Sequence, residues 1–152
     1  MSQIYKHPKR KTKVVFVQLG SPSEPTTKAL RNYLRKFLGD PRVVDINPWL
    51  WKIILNLFVL PFRPKKSAKL YARIWDGNSF PLITNTRDFT NNVRDELKKI
   101  DPNGYVEVNH AFLLSPPYVN EVYDSWEDDL KKGVGATKLL VIPMFPQYSE
   151  ST

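Results

Sequence analysis

KVVFVQLGSPSEPTTKALRNYLRKFLGDPRVVD, residues 13–45, is the stretch that decides the fold. It opens on Val14-Val15-Phe16-Val17, a β-branched and aromatic run too short for a helix and typical of a buried strand. Gly20 ends the run, and the polar loop Ser-Pro-Ser-Glu-Pro follows. Thr26 or Thr27 is then placed to cap a helix whose apolar positions are Leu30, Tyr33, Leu34, Phe37 and Leu38. That spacing lays a single apolar stripe along one face. Gly39 is expected at the C′ position, and Asp40-Pro41 stops any continuation. A buried strand, a loop at its carboxyl end and a covering helix form the opening unit of an α/β fold, in which ligands gather beside such loops.

Working outward, the next segment is the least ordinary. Residues 48–62, PWLWKIILNLFVLPF, are almost entirely apolar but too few to span a bilayer core, which takes about 20 residues. Pro48 and Pro61 bracket the run, Lys52 and Asn56 interrupt it, and Arg63, Lys65 and Lys66 follow directly. Two readings stand side by side: a buried helix, or an interface-seeking segment with tryptophans at one end and cations at the other. The spacing then predicts a helix over Ser67–Trp75, capped by Gly77, and another starting at Thr84-Asn85-Thr86 with Phe89, Val93, Leu97 and Ile100 along one face. Tyr105–Leu114 is expected as a second strand. Val119, Val122, Tyr123, Trp126 and Leu130 mark an amphipathic helix closed by Gly133, and Leu139–Ile142 a third strand. Strands alternating with helical patterns imply βαβ units and a parallel sheet flanked by helices. Three strands leave a thin sheet with open edges, which points to a partner.

The chain has 152 residues, a hydrophobic content of 41% and a charged content of 25%, as expected of a globular domain with a proper core. We read residues 1–12 as a basic, flexible tail and 13–152 as a single domain. The absence of cysteine excludes disulfides, thiolate metal sites and thiol nucleophiles. No apolar leader opens the chain, so the cytoplasm is the expected compartment. A net charge of +8 favours anionic partners, but no nucleic-acid motif accompanies it. His7 and His110 are the only histidines. A lone strand histidine is a structural residue before it is a ligand, and no metal motif, phosphate loop or Ser-His-Asp order is present.

The order Leu19-Gly20-Ser21-Pro22, Tyr33-Leu34-Arg35-Lys36-Phe37-Leu38, Asp40-Pro41-Arg42-Val43-Val44-Asp45, Pro48-Trp49-Leu50-Trp51 and Arg63-Pro64-Lys65-Lys66 resembles the first half of bacterial ferrochelatases, which insert iron into protoporphyrin. Tyr71, Ile74-Trp75, Pro81-Leu82 and Pro146-Gln147-Tyr148-Ser149 continue the likeness, so it runs from Lys13 to the end of the chain. It implies one half of the chelatase-like fold. It also implies haem or porphyrin as ligand, held by Leu19, Arg63, Lys66, Tyr71 and Tyr148, and an apolar lip or membrane contact at Trp49, Trp51, Ile54 and Phe58. Arg and Lys suit propionate carboxylates, and Arg can grip one with two hydrogen bonds. The family's proton-abstracting His and its Glu belong to the second half, so no catalytic residue is assigned here.

The departures run in one direction. Gln18-Leu19-Gly20 replaces Asn-Leu-Gly or Asn-Met-Gly, Leu113-Leu114 replaces Arg-Tyr, and Ser79-Phe80-Pro81-Leu82 replaces Gly-Ser-Pro-Leu, whose Ser meets a propionate. These changes make the pocket greasier and poorer in carboxylate partners. The expected function is therefore a tetrapyrrole-binding relative that does not insert iron on its own. The alternatives are a subunit of a split or homodimeric ferrochelatase, and a membrane-surface or protein-interaction module peripheral to the inner membrane face. Partners would be a tetrapyrrole and a second copy or a complementary chain.

Overall fold

The computed structural model describes residues 11–145; most of the basic tail and Tyr148 lie outside them. The elements run β1 (Thr12–Gln18), α1 (Thr27–Leu38), α2 (Pro48–Ile54), a π-helical turn (Leu55–Val59), α3 (Leu60–Tyr71), α4 (Pro81–Ile100), β2 (Val106–Phe112), α5 (Val119–Lys131) and β3 (Lys138–Pro143). All three strands are parallel, in the order β2-β1-β3, with helices in the crossovers. The expected α/β class with a parallel, helix-flanked sheet is the one observed. The chain divides into two compact units: the sheet with α5 and α4 from Thr86 onward, and residues 19–85 with 113–116.

In the first unit β1 is the central strand. Val15 and Val17 pack with Ala111, and Val119 and Val122 of α5 and Leu139 of β3 lie against them. Phe16, on the opposite face, meets Phe89 of α4 edge-on with ring centroids 5.0 Å apart. A strand covered on both faces needs an apolar side chain at every position, which is why Val14–Val17 reads as an unbroken run. Arg94 ties α4 to β2: Nε donates to the Val108 carbonyl at 2.6 Å and an Nη to Asn109 Oδ1 at 3.0 Å. The Glu121 carboxylate accepts from the Tyr118 N–H at 2.9 Å at the start of α5. Trp126 Nε1 donates to the Ala136 carbonyl at 2.8 Å, closing the turn into β3.

The second unit is helical and departs from the sequence expectation at the prolines. Thr26, of the two threonines, caps α1, its Oγ1 accepting from Ala29 N–H at 3.2 Å. Gly39 follows α1 with φ −83°, not in the left-handed conformation usual at C′. Space rather than φ demands a glycine there, since a Cβ would stand 2.5 Å from the Arg35 carbonyl oxygen. The helix expected over Ser67–Trp75 is in fact the end of α3, which begins at Leu60 and stops at Tyr71. Gly77 (φ 98°) therefore does not cap it. It lies in a later turn, where Asp76 Oδ1 accepts from Asn78 N–H at 2.8 Å. The next helix likewise starts at Pro81, ahead of Thr84.

Two prolines lie in α3, and neither breaks it. Pro61 sits at the start of α3, directly after the π-helical turn. Pro64 is interior, so the Leu60 carbonyl loses its helical donor; Arg31 Nε from α1 donates to it instead, at 3.2 Å. The π-helical turn, in which Leu60 N–H bonds back to the Leu55 carbonyl, inserts one residue into the spiral. The buried positions accordingly fall at Leu55, Leu60, Pro64 and Ala68, spaced five, four and four.

Candidate functional site

The carboxyl-end loops of β1 and β2 are tied together within the second unit. Leu19, which is half-buried, accepts from Leu114 N–H through its carbonyl at 3.0 Å, and Ser115 Oγ accepts from Ser21 N–H at 3.3 Å. Gly20, with φ 94°, turns its carbonyl to the Tyr33 hydroxyl of α1, which donates to it at 3.3 Å. From Tyr33 a run of rings continues: Phe37 stacks on it at 6.3 Å and Tyr71 of α3 stands tilted at 6.4 Å. Phe80 then meets Tyr71 edge-on at 5.5 Å and Trp75 at 4.7 Å. Burial pushes the Tyr33 phenol well above its ordinary pKa, and the neighbouring Tyr71 adds to the push. Tyr33 thus stays neutral, its hydroxyl held by the Gly20 carbonyl, behind the half-buried Tyr71 ring.

Of the residues expected at a ligand, Leu19 and Tyr71 are brought into this connected set. Arg63 and Lys66 are exposed on α3. At about 100° of rotation per residue, Tyr71 lies about 80° around the helix from Arg63 and about 140° from Lys66. Arg63 flanks the aromatic side of α3, and Lys66 points away from it. Tyr33 and Phe80 were not foreseen as members: Tyr33 reads as one more stripe position of α1, and Phe80 as the loss of a serine.

The apolar segment resolves into two faces. Trp51 packs on the cluster of Leu38, Leu55 and Leu60, and its Nε1 donates to the Leu38 carbonyl at 2.6 Å, closing the end of α1. Ile54 is half-buried. Trp49 (78% exposed), Phe58 (64%) and Phe62 (72%) face outward, joined by Leu50, Ile53 and Leu57. Of these, Leu57, Phe58 and Phe62 come after Ile54, where the π-helical turn shifts the phase of a 3.6-residue period counted from Pro48. The result is an exposed apolar face beside Lys52, which lies 5.9 Å over the Trp49 ring, and next to Arg63. No helix among the described residues is long and apolar enough to cross a membrane.

His110 sits in β2, half-buried, against the Phe112 ring at 5.6 Å. Its Nδ1 is buried and has no hydrogen-bond partner among the described residues. Burial, then the charges of Arg94 and Arg87, hold its pKa below the ordinary value, so it is a neutral imidazole. Among the described residues no three His, Asp or Glu side chains gather as a metal site would require.

With this geometry in place, the comparison with known proteins is decisive. The family model for ferrochelatase matches residues 11–152. This chain belongs to the ferrochelatase family. It is 39% identical over 153 aligned positions to the ferrochelatase of Francisella tularensis subsp. tularensis (strain WY96-3418), covering 99% of this chain and 42% of that protein. Against the ferrochelatase of Idiomarina loihiensis it is 42% identical over 139 positions, covering 91% of this chain and 36% of that protein. The ferrochelatase-family chain thus spans about two fifths of the length of these curated relatives. The departures now have places in the family fold. Phe80, where the resemblance has a serine, is buried at 2% exposure, and Leu113, where it has an arginine, is exposed.

Proposed function

We propose that this chain binds a tetrapyrrole, haem or porphyrin, and contributes the holding side of ferrochelatase chemistry in haem metabolism without inserting iron on its own. The observation that carries this reading is membership of the ferrochelatase family across the whole described chain. The geometry supports it. A flat, apolar macrocycle with carboxylate tails asks for ring faces, an apolar wall and one or two flanking cations. The half-buried Tyr71 ring, backed by the buried Tyr33 and Phe80, the outward face of Trp49, Phe58 and Phe62, and the flanking Arg63 are residues of that kind. Proton removal from the ring nitrogens we assign to a complementary chain.

The test is a visible-absorbance titration with haemin and, separately, protoporphyrin. A saturable Soret shift at about stoichiometric protein is expected. Since Arg63 is exposed, Arg63→Ala should weaken binding only about 3–10-fold, corresponding to a single solvated charge contact, and Lys66→Ala less. A spectrum indistinguishable from that of free porphyrin would overturn the reading.

A partner chain is favoured by β3. Leu140 and Val141 are successive residues, so they point to opposite faces of the sheet, yet they are 49% and 48% exposed. Parallel sheets are ordinarily covered on both faces, and a further element added beyond β3 would bury both residues. The same logic at Trp49–Phe62 supports peripheral contact with the inner membrane face from the cytoplasm, tested by co-sedimentation with anionic vesicles.

A further inference from the structure

One partly open cavity in the second unit is used by none of the functions above. Between the last turn of α1, the loop after it and the α2–π segment lies a pocket of about 420 Å3, within the size range of small-molecule sites. Pro41, Val44, Ile46, Pro48, Trp51 and Leu55 form its apolar wall. Trp51 has already committed its only donor to the Leu38 carbonyl, so it offers the pocket nothing but ring surface.

The rim is of opposite character. Arg35 and Lys52, both exposed, line it, with the Asn56 side chain, whose Nδ2 donates to the Lys52 carbonyl at 2.7 Å, leaving the amide oxygen over. An open groove continues from the pocket through the shared Arg35, Gly39 and Pro41, and adds Lys36 and Arg42. Its one acid, Asp40, accepts the Arg42 N–H at 2.9 Å. Gly39 belongs to both cavities, and any side chain there would collide with the Arg35 carbonyl. An apolar slot that opens on one side to four cations has the complementarity of a ligand with one acyl chain and an anionic head. None of Leu19, Arg63, Lys66 or Tyr71 lines it, so it is separate from the tetrapyrrole residues.

We propose that this pocket binds a single-chain amphipathic anion, its acyl chain against Val44, Ile46 and Leu55 and its carboxylate or phosphate between Arg35 and Lys52. The test is fluorescence titration of the full chain with dansyl-undecanoate. A saturable blue shift, reversed by laurate and not by the neutral dodecanol, is expected. Displacement by lauroyl lysophosphatidate at lower concentration than by laurate would identify a membrane lipid as the source; the reverse order would identify a free fatty acid. Arg35→Glu with Lys52→Glu, both exposed and tolerable to the fold, should weaken the probe about tenfold or more by replacing attraction with repulsion. Ile46→Glu, at a half-open wall position, should abolish binding, whereas Phe58→Ser with Phe62→Ser should leave it unchanged. The proposal fails if no saturable shift is seen, if dodecanol displaces as well as laurate, or if the Phe58/Phe62 variant alone loses the probe, which would place it on the outer face.

Discussion

Tyr33 is the residue that joins the loop after β1 to the aromatic set, and its ionisation reports on that junction. The folded chain holds the phenol proton more tightly than the unfolded chain, whose tyrosines titrate near 10.0. The stability linked to it is complete below that pH and is lost as pH rises above it. Urea midpoints should therefore fall steeply above pH about 10, and Tyr33→Phe should flatten that fall while costing about 1 kcal/mol at neutral pH for the lost bond to the Gly20 carbonyl. An unchanged alkaline slope in the variant would mean that another group carries it. His110 works in the opposite sense. Its folded pKa lies below the 6.5 of the free side chain, so stability is full above that value and declines as pH falls through it. Unfolding monitored at pH about 7 and 5 should show a smaller acid loss in His110→Gln than in the parent.

At the scale of elements, the helical run from Pro48 to Tyr71 shows how a sequence that reads as broken can fold as nearly continuous helix. Pro64 deprives the Leu60 carbonyl of its donor, and Arg31 supplies another from α1. Arg31→Met keeps the length of the side chain and removes that donor, and should cost about 1–2 kcal/mol in urea unfolding. Pro64→Ala restores a helical N–H, so the cost of Arg31→Met in that background should shrink to a few tenths of a kcal/mol. Strict additivity of the two substitutions would show that Arg31 acts by packing, not by satisfying the carbonyl. Trp51 performs the equivalent service at the end of α1, where its indole N–H meets the Leu38 carbonyl. That explains why the tryptophan faces inward while Trp49, two residues before it, does not.

For the molecule as a whole, the surface features that matter are the apolar outer face of the α2–π–α3 run and the β3 edge. If β3 is completed by a second copy, Leu140→Lys should shift light scattering toward the monomer without lowering the melting temperature of dilute protein. If the outer face meets lipid, Phe58→Ser with Phe62→Ser should abolish co-sedimentation with anionic vesicles and leave the fold intact, since both rings are exposed. Loss of sedimentation in raised salt alone, with the phenylalanines irrelevant, would instead assign the contact to the chain's excess positive charge.

The strand–helix alternation, the parallel sheet and the buried character of β1 were all legible in the residues. Each depends on periodicity and on local chemistry: a doubly covered strand must be apolar throughout, and Val14–Val17 is. The likeness to ferrochelatases was legible for the same reason that motifs are, because Leu19-Gly20, Arg63-Pro64 and Tyr71 stand in order along the chain. What sequence could not supply was phase and partnership. One inserted residue in the π-helical turn rotates everything after Leu55, so Phe62 turns out while Leu60 and Pro64 turn in. Pro61 reads as the end of the apolar run, and nothing local shows that Pro64 can sit inside a helix, because the guanidinium that compensates it lies on another helix, 29 residues earlier in sequence than the carbonyl it serves. The joining of Gly20 to Tyr33, and of Tyr33 to Tyr71 and Phe80, likewise needs three distant segments at one place, and only packing of the helices brings them there.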